Sequence, residues 1–223
     1  MSKGEAGIYR GAGTALVTGG TVRLGLAIAE RLRASGWRVI TSSHRPDAGA
    51  DIVADLADPS GAARLYAAAL AILGGEPPDA LVNNAALLSG DAAAVECVNL
   101  SSPKKLTVLM AGRESGRGAV VNVLDAQADA ESPGRSPGYA ETKRALREYT
   151  LKSAAMFADT LRVNAVEPGP VLAPTAMHEK AGETPLGRPR PEDVADAVEF
   201  LLGAGATSGA ILPVDGGLHL SIA

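Results

Sequence analysis

Short, continuous apolar runs alternate along the chain with longer stretches in which apolar positions recur at helical spacing. The runs at residues 14–18, 38–41, 51–54, 80–82, 119–123, 161–165 and 210–214 predict strands, the first of them a short apolar run read as buried. Between 24 and 32, Leu24, Ala27, Ile28 and Leu32 share one face of a helix that Ser35-Gly36 ends. Further helices are predicted over 59–73, opened by Pro59, over 92–112 with Pro103 as a possible kink, over 139–157, and over 191–202 with Pro191 in the first turn. Strands alternating with helices in this way predict a doubly wound parallel α/β sheet with helices on both faces. The first ten residues are polar and glycine-rich and predict a loose tail, and residues 43–49 predict a polar loop. Six of the 14 prolines lie between Pro168 and Pro191, which predicts a surface flap at about 172–190. No composition shift divides the chain, so residues 1–223 are read as one domain.

Composition narrows the class. Lys and Arg total 21 against 25 Asp and Glu, a net charge of −4 with no basic stripe, which argues against nucleic acid or an anionic membrane as the main partner. No apolar run approaches the ~18 residues of a membrane span, and the N-terminus has no signal-peptide layout. Cys97, the single cysteine, can form neither an internal disulfide nor a metal site alone and is read as a small buried apolar group. These features predict a cytoplasmic, soluble protein. Aromatic residues are only 3%, so Ala, Val and Leu must carry the packing.

After the first strand comes Thr18-Gly19-Gly20-Thr21-Val22-Arg23-Leu24-Gly25. Glycines let main chain approach a ligand, and the helix that follows offers free N–H groups and a partial positive charge to phosphate, so Gly19, Thr21, Arg23, Leu24 and Gly25 are candidate dinucleotide contacts. The spacing is not the usual G-x-G-x-x-G. The second strand ends in Thr41-Ser42-Ser43-His44-Arg45, with no acid before Asp47 to hold a ribose 2′-hydroxyl. Arg45, aided by His44 and Arg23, suits a 2′-phosphate instead, which predicts NADPH over NADH. Asp55, with Leu56 beside it past the third strand, either caps the adenine edge or caps a turn before Pro59.

Tyr139 and Lys143 are four apart on a predicted helix, so both can enter one pocket, where an ammonium favours the phenolate. The glycine turn, Asp55, Asn83-Asn84-Ala85, Asn99, Tyr139 with Lys143, Asn164 with Pro168-Gly169, and Val214-Asp215-Gly216-Gly217 together resemble the short-chain dehydrogenase/reductase family over nearly the whole chain. The resemblance implies a Rossmann-type fold in which Tyr139 donates the proton, Lys143 binds the nicotinamide ribose and tunes Tyr139, and Asn99 anchors a relay water. It also implies that Asn83 and Ala85 line the adenosine side through their main chain, that Pro168 and Gly169 lie near the nicotinamide, and that the protein is a homo-oligomer, often a tetramer.

Two positions depart from the family pattern: Arg23 stands where glycine is usual and Asp125 where serine is usual. With His44-Arg45 they resemble the pteridine reductase branch, in which the Arg contacts cofactor pyrophosphate and pterin and the Asp works beside the Tyr. A carboxylate cannot donate to a ketone oxygen as Ser does, but it can accept from pterin amino groups, and it opposes Lys143 in tuning Tyr139. Against that branch, Leu87-Leu88 follow the Asn-Asn-Ala segment where an aromatic normally stacks on the pterin. The expectation is an NADPH-dependent reductase of a small molecule, a dihydropterin, with Arg23, Asp125 and Tyr139 facing the substrate. The alternatives are a reductase of another carbonyl or imine and a non-catalytic dinucleotide sensor. Met177 and His178 lie on the predicted flap, and His219 is read as packing or subunit contact.

Overall fold

The computed structural model describes residues 13–114, 116–128, 137–171 and 184–220. Seven parallel strands form one sheet in the order β3-β2-β1-β4-β5-β6-β7. They are β1 Thr14–Thr18, β2 Arg38–Ser43, β3 Ile52–Val53, β4 Ala80–Asn83, β5 Gly118–Val123, β6 Leu161–Pro168 and β7 Ile211–Val214. Helices α1 (Arg23–Ala34), α2 (Gly61–Ile72), α3 (Ala92–Glu96), α4 (Ser102–Ala111), α5 (Pro137–Met156) and α6 (Pro191–Gly203) connect them. The sheet is the expected doubly wound α/β architecture, and its strand order reverses between β1 and β4, which opens a crevice at their carboxyl ends.

Both faces of the sheet are covered by helices, as a parallel sheet requires. On one face Ala15, Val17, Val82, Val121 and Val166 pack with Ile28 and Leu32 of α1 and Val194, Val198 and Leu201 of α6. On the other, Leu16, Ile40, Leu81, Val120 and Val163 pack with Leu65 of α2 and Leu106 and Met110 of α4. Small and medium aliphatic residues do most of this work, joined by the buried Trp37 and Tyr66. Arg162 is buried and donates to the carbonyls of Leu201 and Leu202, the unpaired acceptors that end α6. No helix among the described residues is long and apolar enough to cross a membrane.

Several boundaries differ from the sequence reading. The edge strand β3 keeps only Ile52–Val53, because Asp51 turns its carboxylate onto the main-chain N–H and hydroxyl of Thr41. Strand β2 runs on to Ser43, and Pro46–Ala48 forms a 3-10 turn inside the predicted loop. The helix expected over 92–112 is divided into segments, and Pro103 lies in the first turn of the last of them, α4. The interruption comes earlier: Cys97–Ser101 is π-helical and joins α3 to α4. Such wide turns commonly mark functional sites, and this one carries Asn99. The expected tail (1–10) lies outside the described residues, as does most of the expected flap (172–183, with Met177 and His178).

Candidate active site

The first βα turn is built by close main-chain packing. Gly19 has φ +63°, and a Cβ there would lie 3.2 Å from Ala85 Cα. At Gly25 a Cβ would lie 2.0 Å from the Gly19 carbonyl oxygen, so only glycine lets α1 begin against this turn. The turn is clasped from β4: Asn84 Nδ2 donates to the carbonyls of Thr18 (2.9 Å) and Gly19 (3.2 Å), while Thr18 Oγ1 accepts the N–H groups of Asn84 and Ala85, each at 3.0 Å. This leaves a main-chain cradle at the N-terminus of α1 that any side chain would fill, and its residues fit a pyrophosphate. Arg23 at the head of α1 has φ +52°, the left-handed region, which explains mechanically why a glycine is common there. Its exposed side chain makes no hydrogen bond or ion pair among the described residues.

Of the adjacent asparagines, Asn84 serves the cradle. Asn83 turns inward, donating from Nδ2 to Asn122 Oδ1 (2.8 Å) in a chain that runs on from Asn122 Nδ2 to Thr150 Oγ1 (2.9 Å), so only its main chain can face a cofactor. His44 and Arg45 are exposed just past β2. Arg45 was expected to await a phosphate; it instead pairs with Asp47 (3.3 Å), and the guanidinium holds that carboxyl below the usual carboxylate range. Asp55 accepts the Ala57 N–H (2.9 Å), the second of its two expected roles, and Leu56 is buried in the core with its carbonyl bonded to Ser102.

At the carboxyl ends of β5 and β6 the proton-handling groups converge. Asp125 forms a turn in which Oδ1 accepts the Gln127 N–H (2.8 Å), and Oδ2 accepts the phenol of Tyr139 (2.8 Å). Tyr139 and Lys143, one turn apart on α5, are both buried. The Lys143 ammonium donates to the Val123 carbonyl (2.9 Å) and lies 5.8 Å from the Tyr139 ring centre. Burial pushes Lys143 down to about 8, and the Asp125 charge opposes the fall. Asn99 is committed to bracing: Oδ1 accepts the Leu87 N–H (2.8 Å), and Nδ2 donates to the Leu87 carbonyl (3.0 Å) and to Thr142 Oγ1 (3.3 Å). Its side chain therefore ties the loop after β4 to α5.

The strand ends are tied to one another. The Pro168 carbonyl accepts the Ala126 N–H, the Gly169 N–H donates to the Val214 carbonyl, and a Cβ on Gly169 would strike Asp215. Asp215 accepts the main-chain N–H groups of Gly217 and His219 and pairs with His219 Nδ1 at 2.9 Å, so His219 serves this turn. Sequence reasoning missed Thr18 and Asn84 as braces, although both stood within the quoted motifs. It also passed over Glu167, the one acid in β6.

A phenol, an ammonium and a carboxyl at the carboxyl edge of a doubly wound sheet, near a turn only glycine can make, suit an oxidoreductase that works with a nicotinamide dinucleotide. Comparison with known proteins narrows this class to one family. Residues 22–219 match the family model described as "Enoyl-(Acyl carrier protein) reductase", and the chain belongs to the short-chain dehydrogenase/reductase family. It is 36% identical to the "Granaticin polyketide synthase putative ketoacyl reductase 2" of Streptomyces violaceoruber, over 92% of this chain and 96% of that protein. It is 31% identical to the "Rhamnolipids biosynthesis 3-oxoacyl-(acyl-carrier-protein) reductase" of Pseudomonas aeruginosa, over 92% and 96%, and 30% identical to the cyclopentanol dehydrogenase of a Comamonas species, over 91% and 95%. None of these three names refers to a pterin.

Proposed function

We propose that the chain is an NADPH-dependent reductase whose substrate is a dihydropterin. The observation that carries this reading is the 2.8 Å bond from the Tyr139 hydroxyl to Asp125. A phenol donating to a carboxylate is protonated and ready to act as an acid, and the carboxylate places acceptor lone pairs where a ring N–H or amino group can be recognised.

Gly19, Thr21, Arg23, Leu24 and Gly25 would hold the pyrophosphate, and the main chain at Asn83 and Ala85, with Asp55 and Leu56, would border the adenosine. Arg45 and His44 would take the 2′-phosphate. An exposed ion pair such as Arg45–Asp47 holds weakly, so a phosphate with greater charge can replace the Asp47 carboxylate. Tyr139, Lys143, Pro168 and Gly169 would flank the nicotinamide, and the reduced dinucleotide, when bound, supplies the hydride. On the protein side Tyr139 releases its proton to the substrate nitrogen. Lys143, in its charged form, offsets the phenolate left behind, and Asp125 orients the substrate.

A second reading is favoured by the names of two relatives: reduction of a 3-oxoacyl chain. In that case Tyr139 alone donates to the carbonyl oxygen, because an ionised Asp125 has no proton to share. Nicotinamide oxidation with a dihydropterin and with a 3-oxoacyl thioester, each with NADPH and NADH, separates the readings. Turnover of the dihydropterin with NADPH as the better reductant is expected. The Asp125→Ser variant should lose dihydropterin turnover at least ~10-fold, the loss of a charged hydrogen bond, while gaining on ketones. Preference of the wild-type protein for the thioester would replace the first reading with the second, and NADPH binding without turnover of either substrate would leave a sensor.

A further inference from the structure

Behind Asp125 lies a cavity of about 360 Å³, lined by Leu124, Asp125, Lys143, Arg144, Arg147 and Glu167 among others. Its volume has room for several water molecules at ~30 Å³ each, and its polar lining suits them. The position of Glu167 follows from the strand. On β6, Leu161 and Val163 face the α4 side of the sheet, while Val166 faces α6, so the two-residue period turns Glu167 toward α5. There it pairs with Arg147 Nε at 3.5 Å, and its side chain is 19% exposed. The cavity thus connects a partly solvated carboxyl with the carboxyl that touches the Tyr139 phenol.

Such a connection meets a need of the chemistry. Once Tyr139 has given up its proton, a phenolate faces the Asp125 carboxylate at hydrogen-bond distance, and two like charges that close are unfavourable. A proton delivered to Asp125 removes the conflict and is then passed on to the phenolate.

We propose that Glu167 is the proton store of this site, passing a proton through water in the cavity to Asp125, which restores the Tyr139 phenol. Each turnover moves one proton: from the Glu167 carboxyl to the Asp125 carboxylate, from there to the phenolate, and from solvent back to Glu167 past Arg144 and Arg147. The charged groups around Glu167 suit a store. Burial raises its affinity for a proton, Arg147 on α5 lowers it, Asp215 beyond β7 and Asp125 beyond β5 raise it, and His219 lowers it; Lys143 and Arg144 share the cavity. Glu167 acts through Asp125 and is therefore a positioning residue.

The proposal rests on Tyr139 being the proton donor, and its test uses whichever carbonyl or imine the wild-type enzyme turns over, so a failed pterin assignment does not affect it. Glu167→Gln should lower kcat roughly ten-fold, below the ~10²–10⁴ of a directly acting acid. The KM for NADPH should stay unchanged, the solvent deuterium isotope effect should rise, and the deficit should deepen as pH rises. Glu167→Asp or small buffer acids should restore most of the rate. Arg147→Gln breaks the same ion pair but keeps the carboxyl, so it should lose much less kcat than Glu167→Gln. In cofactor-free protein, carboxyl NMR should find Glu167 titrating above the ordinary glutamate range and shifting down in Asp125→Asn. The proposal is overturned if Glu167→Gln leaves kcat, pH profile and isotope effect unchanged, if Arg147→Gln loses as much, or if Asp125→Asn leaves the Glu167 titration in place.

Discussion

Arg23 is held at φ +52° with no side-chain partner among the described residues to offset the strain. A left-handed L-residue costs about 1–2 kcal/mol, and glycine at the same place gives back ~0.4–1 kcal/mol through the greater freedom of the unfolded chain. Arg23→Gly should therefore stabilise the cofactor-free protein by roughly 0.5–1 kcal/mol, a Tm rise of about 1–4 °C for a chain of this size. Arg23→Ala keeps the strained backbone and should stay within ~0.5 kcal/mol of the wild type. Binding should follow a different order. If the guanidinium contacts the pyrophosphate, both variants lose a charge-assisted hydrogen bond worth ~1.5–3 kcal/mol, a rise in the NADPH Kd of roughly 10- to 100-fold. Calorimetry of the cofactor-free proteins and fluorescence titration with NADPH measure the two quantities separately. A less stable Arg23→Gly than Arg23→Ala would refute the strain assignment. Wild-type NADPH affinity in either variant would refute the phosphate contact.

Lys143 titrates at about 8 in the folded protein against 10.5 in a free side chain, so between those pH values the unfolded chain binds a proton that the native state has shed. Wild-type stability should accordingly rise with pH across that window, and Lys143→Met should flatten the rise in denaturant titrations run at several pH values. Because the ammonium offsets the Tyr139 phenolate, kcat for reduction should fall above about pH 8, and Asp125→Asn should move that fall to lower pH by removing a charge that supports the ammonium. Gly25→Ala places a Cβ 2.0 Å from the Gly19 carbonyl oxygen. Backbone must move, so about 1–3 kcal/mol of stability and most NADPH affinity should be lost, as thermal melts with and without NADPH would reveal.

The sheet was legible because seven short apolar-rich runs recur between stretches of helical spacing, and the Tyr139–Lys143 spacing placed both groups on one helical face. Boundaries set by single contacts were not legible: β3 is cut short by an Asp51 carboxylate that bonds ten residues back along the chain. The widened turn at Cys97–Ser101 adds no break in apolar periodicity, and only Pro103, two residues beyond it, marks an irregularity in the sequence. Which of two neighbouring asparagines faces the cradle depends on where β4 ends, which the sequence marks only to within a residue or two. The Arg45–Asp47 pair was not read because Asp47 was noted only as the first acid after the strand. Glu167 is separated from Asp125 by 42 positions (167 − 125), and only the parallel pairing of β5 with β6 brings their ends together.

The proposed role of Tyr139 as the acid of the reaction rests on its bond to Asp125, and removing only that hydroxyl tests it most directly. Tyr139→Phe should bind NADPH with wild-type affinity by fluorescence titration while its single-turnover reduction rate falls by ~10²-fold or more, the contribution of a positioned acid. A Tyr139→Phe enzyme that reduces substrate within a few-fold of the wild-type rate would contradict the account.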